Sequence, residues 1–419
     1  MTEQRRRRVV LVTTGSWVYR EYLLASLAGE YDVWLLSDRD PEWAAPHIIG
    51  HTKLNTADVD ALIEASRAVE PDGVLTWDEP RVVHAARLAA ALGLPGCTPE
   101  SALNCRDKHA TRTALAAAGV PQAASALVTT LAEARAAADR IGYPLVLKAR
   151  ALGASIGVVR VEGPDQLAAR FRIARGADVP TVTELPPGDV LVEEYLDGPE
   201  ISVDAAWSDG AMGLAYLARK QIGYPPYFEE VGHVVDSADP LLHDEQLAEV
   251  VAGAHAAVGY RTGWTHTELR LTPDGPKVVE INARIGGDRI PQLAEWATGV
   301  RAASVAAAVA CGQPMDVRPT RGRVAAIQFC YPERNVVAKS VRIDRDRLPA
   351  SVASAEVIAE PGQELLLPPA GHVSSRYAYV SVVADTLGQC QADLETALAA
   401  VHLEVLNVLT DKITKSGGF

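Results

Sequence analysis

Cysteine is scarce in this chain and nowhere grouped. The five cysteines, at 97, 105, 311, 330 and 390, are odd in number and scattered, and no CxxC pair occurs. Reduced thiols in a cytoplasmic protein are the simplest reading. Long apolar runs are lacking as well. None approaches the ~20 residues needed to span a bilayer, and no signal-peptide pattern is visible. No membrane partner is expected. Positive charge is in deficit: the net charge of −13 argues against nucleic acid as a partner. The one basic block, Arg5–Arg8, stands directly before the apolar run VVLVTT (9–14) and reads as a solubilising flank. Two nucleotide-binding signatures are also missing. There is no GxxxxGK[ST], which removes the P-loop NTPases. The turn TTGSW (13–17) is not a GxGxxG, so no dinucleotide site is read there. Neither an internal repeat nor a low-complexity linker stands out.

What is present is ordinary globular protein. A chain of 419 residues, 48% apolar and 22% charged, has room for two to four domains and an ample core. Residues 8–95 alternate strand and helix signals: VVLVTT, a helix over REYLLASLA, YDVWLLS (31–37), DGVLTW (72–77), then an Ala-rich helix over 79–92. That βαβ rhythm predicts a small parallel sheet. TPES opens a helical stretch over 98–120 that stops at Gly-Val-Pro. An amphipathic helix over 131–141, the strand YPLVLKAR (143–150) and the loop-to-strand segment GASIGVVRV (153–161) predict a small α/β unit. VLVEEYLDGPEISVDAAWS (190–208) reads as two strands broken at Asp-Gly-Pro. Helices are expected over 240–258 and 290–310. The segment 318–419 reads as strand-rich, with a closing helix near 391–409.

The most informative stretch is 265–290, THTELRLTPDGPKVVEINARIGGDRI. It predicts a hairpin, with strands over 265–271 and 277–282 joined by the turn formers of 272–276. A turn centred on Asp274 sets Glu268 opposite Glu280, at ~5 Å between Cβ atoms. Side chains alternate along a strand, so Asn282 shares the face of Glu280. Two carboxylates and an amide oxygen so placed call for a hard cation, Mg²⁺ or Mn²⁺. Arg284 continues the same parity toward that point. A surface Arg paired to Glu280 is the plain alternative for it.

A divalent ion on two acids usually meets phosphate. Upstream, Lys148 ends an apolar strand five residues before the small-residue loop Gly153-Ala-Ser-Ile-Gly157, with Lys108 as a second cation. Backbone N–H groups of such a loop can approach phosphate, and a strand lysine adds a point charge. Taken alone, Lys148 reads as a surface lysine and GASIG as a hairpin turn.

In the order DK (107–108), GVP, LVLKA (145–149), GASIG, VEEYLDGPEISVD (192–204), THTELR and VEINAR, the chain resembles the ATP-grasp superfamily over most of its length. Arg376 in SSRYAYVSVVA is similar to the C-terminal segment of carboxylating or amine-ligating members. The resemblance implies an α/β fold with α+β lobes. Its parts would be an N-terminal parallel-sheet domain (1–97), a linking helical segment (98–124), a lid subdomain (125–195), a catalytic subdomain with the metal site (196–316) and a strand-rich C-terminal lobe (317–419). It implies ATP and Mg²⁺ (or Mn²⁺) as cofactors. Lys108, Lys148 and the loop Gly153, Ser155 and Gly157 would hold the phosphates. The backbone around Glu193, Tyr195 and Leu196 would meet adenine, and Glu200 the ribose. Glu268, Glu280 and Asn282 would bind the metal. Arg284 would stabilise an anionic transition state or hold a substrate carboxylate.

YFEEVGH (227–233) and ARIGGDRI (283–290) give a narrower resemblance, to carboxylate–amine ligases that join L-amino acids. It implies that Glu230 holds a substrate ammonium and His233 the transferring phosphoryl group, with Gly287 and Asp288 lining the amino-acid pocket. An Asp at 288 implies a roomier or more polar site than a larger residue would leave. His266 shares the face of Glu268 without an assigned role. The implied reaction is amide formation between an amino acid and an amine, through an acyl phosphate, with release of ADP and phosphate. Small-molecule substrates and a homodimer are the implied partners. Other ATP-grasp chemistries, purine-biosynthetic or biotin-carboxylase-like, and a nucleotide-binding protein without turnover remain as alternatives.

Overall fold

The structure, a computed structural model, describes residues 5–177 and 188–409. Residues 178–187 of the expected lid and the last ten of the C-terminal lobe lie outside the described residues. The N-terminal strands form a fully parallel sheet in the order Gly50–Lys53, Asp32–Ser37, Arg8–Val12, Gly73–Leu75. Helix Trp17–Glu30 buries Leu23, Leu24 and Leu27 in the same core as Leu293, Ala294 and Ala303 from much later in the chain. The parallel sheet is therefore packed onto the rest of the molecule through that helix.

The stretch after Thr98 holds two helices. Thr98 caps Pro99–Arg106 by accepting the Ser101 amide. Asp107 then ends that helix and caps the next, Lys108–Ala117, accepting the His109 amide at 3.0 Å. Arg150 clamps the same carboxylate at 2.6 and 2.9 Å. This break sets Lys108 at the first position of a helix. The buried face of that helix is Lys108, Thr111, Arg112 and Leu115, a helical stripe that carries two cations inward.

A second sheet, antiparallel, runs Ser125–Val128, Val190–Glu194, Leu145–Ala149, Val159–Val161. Helices Leu131–Ile141 and Pro164–Gly176 cover it, the first started by a capping box between Thr130 and Glu133. The largest sheet has eight strands, in the order Gly275–Asn282, Gly263–Thr272, Glu200–Ser208, Ala211–Gly223, Glu229–Asp236, Val324–Cys330, Ala378–Ala384, Val352–Val357. Parallel and antiparallel sheets with helices between them make the ATP-grasp fold expected from the sequence.

Several local expectations need correction. The hairpin turn is the two-residue Pro273-Asp274, because Thr272 pairs with Gly275. That register alone would set Glu268 opposite Val279. An irregularity between Glu268 and Leu269 restores the Glu268–Glu280 pair. The second strand ends at Asn282, so Arg284 stands in a bend beyond it. The 290–310 helix is two, Ile290–Thr298 and Ala302–Ala310. Gly299 divides them at φ +83°, where an added Cβ would lie 2.0 Å from Thr320 Oγ1. The closing helix is Leu387–Leu398, and Val401–Val408 is a strand paired to Val336–Ile343. VHLEV alternates apolar and polar residues with period two, which together with the pairing to Val336–Ile343 overrides a helical reading. Among the described residues no helix is long and apolar enough to cross a membrane.

Candidate active site

Strand parity builds the first cleft. Lys148 pairs with Leu191, and Val146 with Glu193, so Lys148 and Glu193 project from the same face of the antiparallel sheet. Lys148 Nζ lies 2.6 Å from Glu193 Oε2. Arg112, from the inward stripe of the capped helix, donates to both oxygens of Glu193 at 2.8 and 3.2 Å. Burial pushes the Glu193 carboxyl up, but Arg112 and Lys148 outweigh it and hold it at about 2. Burial pushes the Lys148 ammonium down, more than Glu193 raises it. The Glu193 side chain is buried and serves as counter-ion to Arg112 and Lys148.

Lys108 Nζ bonds the Leu152 carbonyl at 2.5 Å and Glu280 at 3.0 Å. It therefore ties the edge of the Gly loop to the acidic hairpin. In that loop Ala154 and Ser155 both take left-handed backbone, at φ 54° and 56°. Ser155 Oγ donates to the Phe228 carbonyl at 2.7 Å. Gly157 is required: at φ +74° an added Cβ would sit 2.5 Å from Ala177 Cβ. Gly153 meets no such obstacle. Lys108, Lys148, Gly153, Ser155, Glu193, Tyr195, Leu196, Glu200, Glu230, Glu268, Glu280, Asn282 and Arg284 all line one cleft of about 850 Å³. Gly157, His233, Gly287 and Asp288 do not line it.

At the head of this cleft stands a lysine that sequence reasoning missed. Lys220 Nζ lies 2.9 Å from Glu200, 2.8 Å from Glu230 and 3.2 Å from Glu268. Burial opposes its charge, but the three carboxylates raise it well above the usual lysine range. The signal was available. Tyr216, Ala218 and Lys220 share one parity on a buried strand, and a lysine at an inward position needs partners. Those three carboxylates are one of two clusters among the described residues that could hold a metal; the other is Glu230, His233 and Asp288. Of the expected metal trio, Glu268 belongs to the first cluster. Glu280 instead meets Lys108, and the Asn282 amide donates to the His266 carbonyl at 3.4 Å.

His266 gains a place. Its Nδ1 is 2.7 Å from buried Asp204, and its Nε2 is 3.7 Å from Glu268. Burial pushes the imidazole down, but Asp204 prevails and raises it to about 9. Arg284 is not paired to Glu280. It donates to Glu79, from the N-terminal segment, at 2.6 Å.

A second cavity, about 990 Å³, adjoins the first. Residues 154, 155, 230, 268 and 284 line both. Gly287 and Asp288 line only the second, together with Ser16, Tyr19, Arg20, His266 and Arg376. Asp288 is not a free polar wall. Arg376 grips it with two bonds, 2.7 and 2.6 Å, and His233 Nε2 lies 3.3 Å away. Burial raises the Asp288 carboxyl, but Arg376 and His233 hold it well below the carboxylate range. Arg376 is wholly buried and stacks on Phe329 at 3.7 Å. Its position in SSRYAYVSVVA marked it in the sequence, but its partner did not.

Residues 141–292 match the ATP-grasp domain family. The chain's similarities include ligases. It is 29% identical over 371 residues to the uncharacterized protein y4rH of Sinorhizobium fredii, covering 87% of this chain and 75% of that one. It is 28% identical over 299 residues to the alanine–anticapsin ligase of Bacillus subtilis, covering 64% of this chain and 62% of that ligase. The chain thus spans less than two thirds of the length of that relative. Its fold superimposes on the L-amino acid ligase of Bacillus licheniformis with a TM-score of 0.80, covering 96% of this chain and 100% of that one at 22% identity.

Proposed function

We propose that this protein is an ATP-dependent carboxylate–amine ligase that forms a dipeptide-type amide bond between an amino acid and an amine. The observation that carries the reading is the meeting of the two cavities across Ser155, Glu230, Glu268 and Arg284. Phosphoryl transfer to a carboxylate needs a nucleotide cleft open to a second polar chamber, with cations at the junction.

The donor set suits the missing partners. Glu268, Glu280 and Asn282 offer oxygen only, which fits Mg²⁺. Both carboxylates already gather ammonium groups, Lys220 and Lys108. Bound there, the ion would neutralise charge on the nucleotide phosphates. The chain's own groups do the rest. Lys108, Lys148 and the backbone of 153–157 orient the phosphates. Arg284 supplies fixed positive charge at the junction, where the substrate carboxylate attacks the γ-phosphorus and becomes an acyl phosphate. Glu79 holds the guanidinium in place from behind. The amine then attacks the acyl carbon and expels phosphate, leaving the amide and ADP. Glu230, whose carboxyl burial pushes up despite Lys220, stands beside His233 at the junction, placed to accept an ammonium proton.

The test is phosphate release from ATP across pooled pairs of amino acids, with products identified by mass. Release dependent on two amino acids, with a mass equal to their sum less water, is expected. Release demanding bicarbonate would move the assignment to another ATP-grasp chemistry. No release with any pool, despite tight ATP binding, would overturn the enzyme reading.

A further inference from the structure

The charges around the second cavity pair off with one exception. Glu229 meets His372 and the Tyr331 hydroxyl. Glu230 meets Lys220, Glu268 meets Lys220 and His266, and Asp288 meets Arg376. Among the cations, Arg284 has Glu79, Arg376 has Asp288, and His266 has Asp204. Arg20 is the exception. Its two hydrogen bonds go to neutral carbonyls, Gly286 at 2.9 Å and Trp77 at 3.3 Å. Burial lowers the guanidinium from its usual range and Arg284 adds to that, while Tyr22, Asp78 and Asp288 oppose it only at a distance. A guanidinium offers five donors, and two are in use. A half-buried guanidinium facing a cavity, with no ion-pair partner among the described residues, is suited to receive an anion.

The neighbours of Arg20 point the same way. Ser16, the N-cap of helix Trp17–Glu30, makes no side-chain capping bond, so its hydroxyl stays available, while the Tyr19 amide donates to the Ser16 carbonyl at 3.2 Å. Ser16, Tyr19 and Arg20 all line the cavity. The Tyr19 hydroxyl is buried without a well-formed hydrogen bond among the described residues, and its ring lies 5.9 Å from the Arg376 guanidinium. The start of helix Trp17–Glu30 thus brings a hydroxyl, a phenol and a guanidinium to one cavity, which Glu268 and Glu230 also line.

Resting on the ligase reading, we infer that Arg20, with Tyr19 and Ser16, binds a substrate carboxylate that is not the one activated by ATP. The bonds are charge-assisted hydrogen bonds, and no covalent step is involved. This carboxylate comes either from the α-carboxylate of the amine-bearing amino acid or from an acidic side chain on either substrate. In both cases the carboxylate is recognised as an anion, and its amide is rejected.

The experiment is calorimetric binding to the ADP-loaded full-length protein, wild type against Arg20→Gln, Arg20→Lys and Tyr19→Phe. The probes are L-alanine, L-alaninamide, L-aspartate, L-asparagine, L-glutamate and L-glutamine. At least one carboxylate-bearing probe should bind wild type and lose at least about 30-fold in Arg20→Gln. Its amide should be indifferent to the substitution. Arg20→Lys should recover part of the loss for the carboxylate and leave its amide unaffected, a contrast that a merely structural role at the Gly286 and Trp77 carbonyls would not produce. Tyr19→Phe should weaken the same probe by a smaller factor. Alanine as the sensitive probe marks an α-carboxylate. Aspartate or glutamate alone marks a side-chain carboxylate. Wild type and Arg20→Gln alike across all six probes, whether binding or not, would overturn the inference. Because binding is read without turnover, this result stands apart from phosphate release: an inert protein that still shows the Arg20 difference sinks the ligase reading alone.

Discussion

The two cavities share a rim and differ in how their charges are built. In the first cleft, most lining groups come from the stretch that matches the ATP-grasp domain. They sit on regular strands whose parity decides what they touch. In the second cavity, the walls come from the first helix, the bend after Asn282 and the segment around Arg376. There the pairs join distant parts of the chain: Arg284 to Glu79 and Asp288 to Arg376. The first cleft is therefore a site carried by the facing strands of two sheets and the capped helix Lys108–Ala117. The second is a site and a seam at once, so its charged residues should matter to folding as well as to chemistry.

The largest effect should fall in the cleft and leave the fold alone. Glu280→Gln keeps the shape of the hairpin and an oxygen facing Lys108, but removes a metal-facing charge. Turnover should fall by about 10³ or more, while the melting temperature stays near wild type. Normal activity would refute the metal assignment. The seam should behave in the opposite way. Asp288→Ala strands a wholly buried Arg376 without its counter-ion. That should cost about 3–5 kcal/mol of stability, read by denaturant unfolding. Replacing both partners with apolar residues should recover much of the loss. If Asp288→Ala is as stable as wild type, the seam description fails.

How much was legible follows the same division. The hairpin, Lys148, the Gly loop and the inward acids could be read because a strand's period of two fixes which side chains meet. Even there, the Glu268–Glu280 pairing came from a turn placed half a residue away and an irregularity that compensates for it. Lys220 and Arg112 were readable in principle, as cations on buried stripes of a strand and a helix. The partners of Arg284 and Asp288 were not. No periodicity links residue 79 to 284 or 288 to 376, and only the packing of separate elements brings them together. The strand at Val401–Val408 was missed for a related reason: its pairing partner lies some sixty residues earlier.

A smaller effect should separate the cleft's ion pairs from its fold by pH. Burial pushes Glu193 up, yet Arg112 and Lys148 hold it at about 2, below its ordinary 4.5. A depressed carboxyl stabilises the folded state fully above the unfolded pKa and loses that contribution as pH falls from 4.5 through 2. The upper bound is about 3 kcal/mol, reduced because burial of Lys148 works against the pair. Denaturant unfolding between pH 5 and 2 should show a steeper fall for wild type than for Glu193→Gln. Parallel curves would mean that Glu193 titrates with solvent.

The smallest effect concerns the loop where the two cavities meet. Ala154 and Ser155 both hold a left-handed backbone that costs a residue with a Cβ about 1–2 kcal/mol. Ser155 Oγ anchors that shape to the Phe228 carbonyl at 2.7 Å. Ser155→Ala keeps the strain and loses the anchor, about 1 kcal/mol. The loop should then leave its phosphate-facing shape more often, raising KM for ATP severalfold with a smaller change in kcat. Ser155→Gly loses the same bond but relieves the strain, so its KM should fall between alanine and wild type. Steady-state kinetics at varied ATP decides the matter. If glycine matches alanine, the anchor alone sets the loop. If glycine matches wild type, backbone strain sets it. Should neither variant move KM for ATP, the loop is not a phosphate cradle, and the rim shared by the two cavities loses its role in passing the phosphoryl group from one to the other.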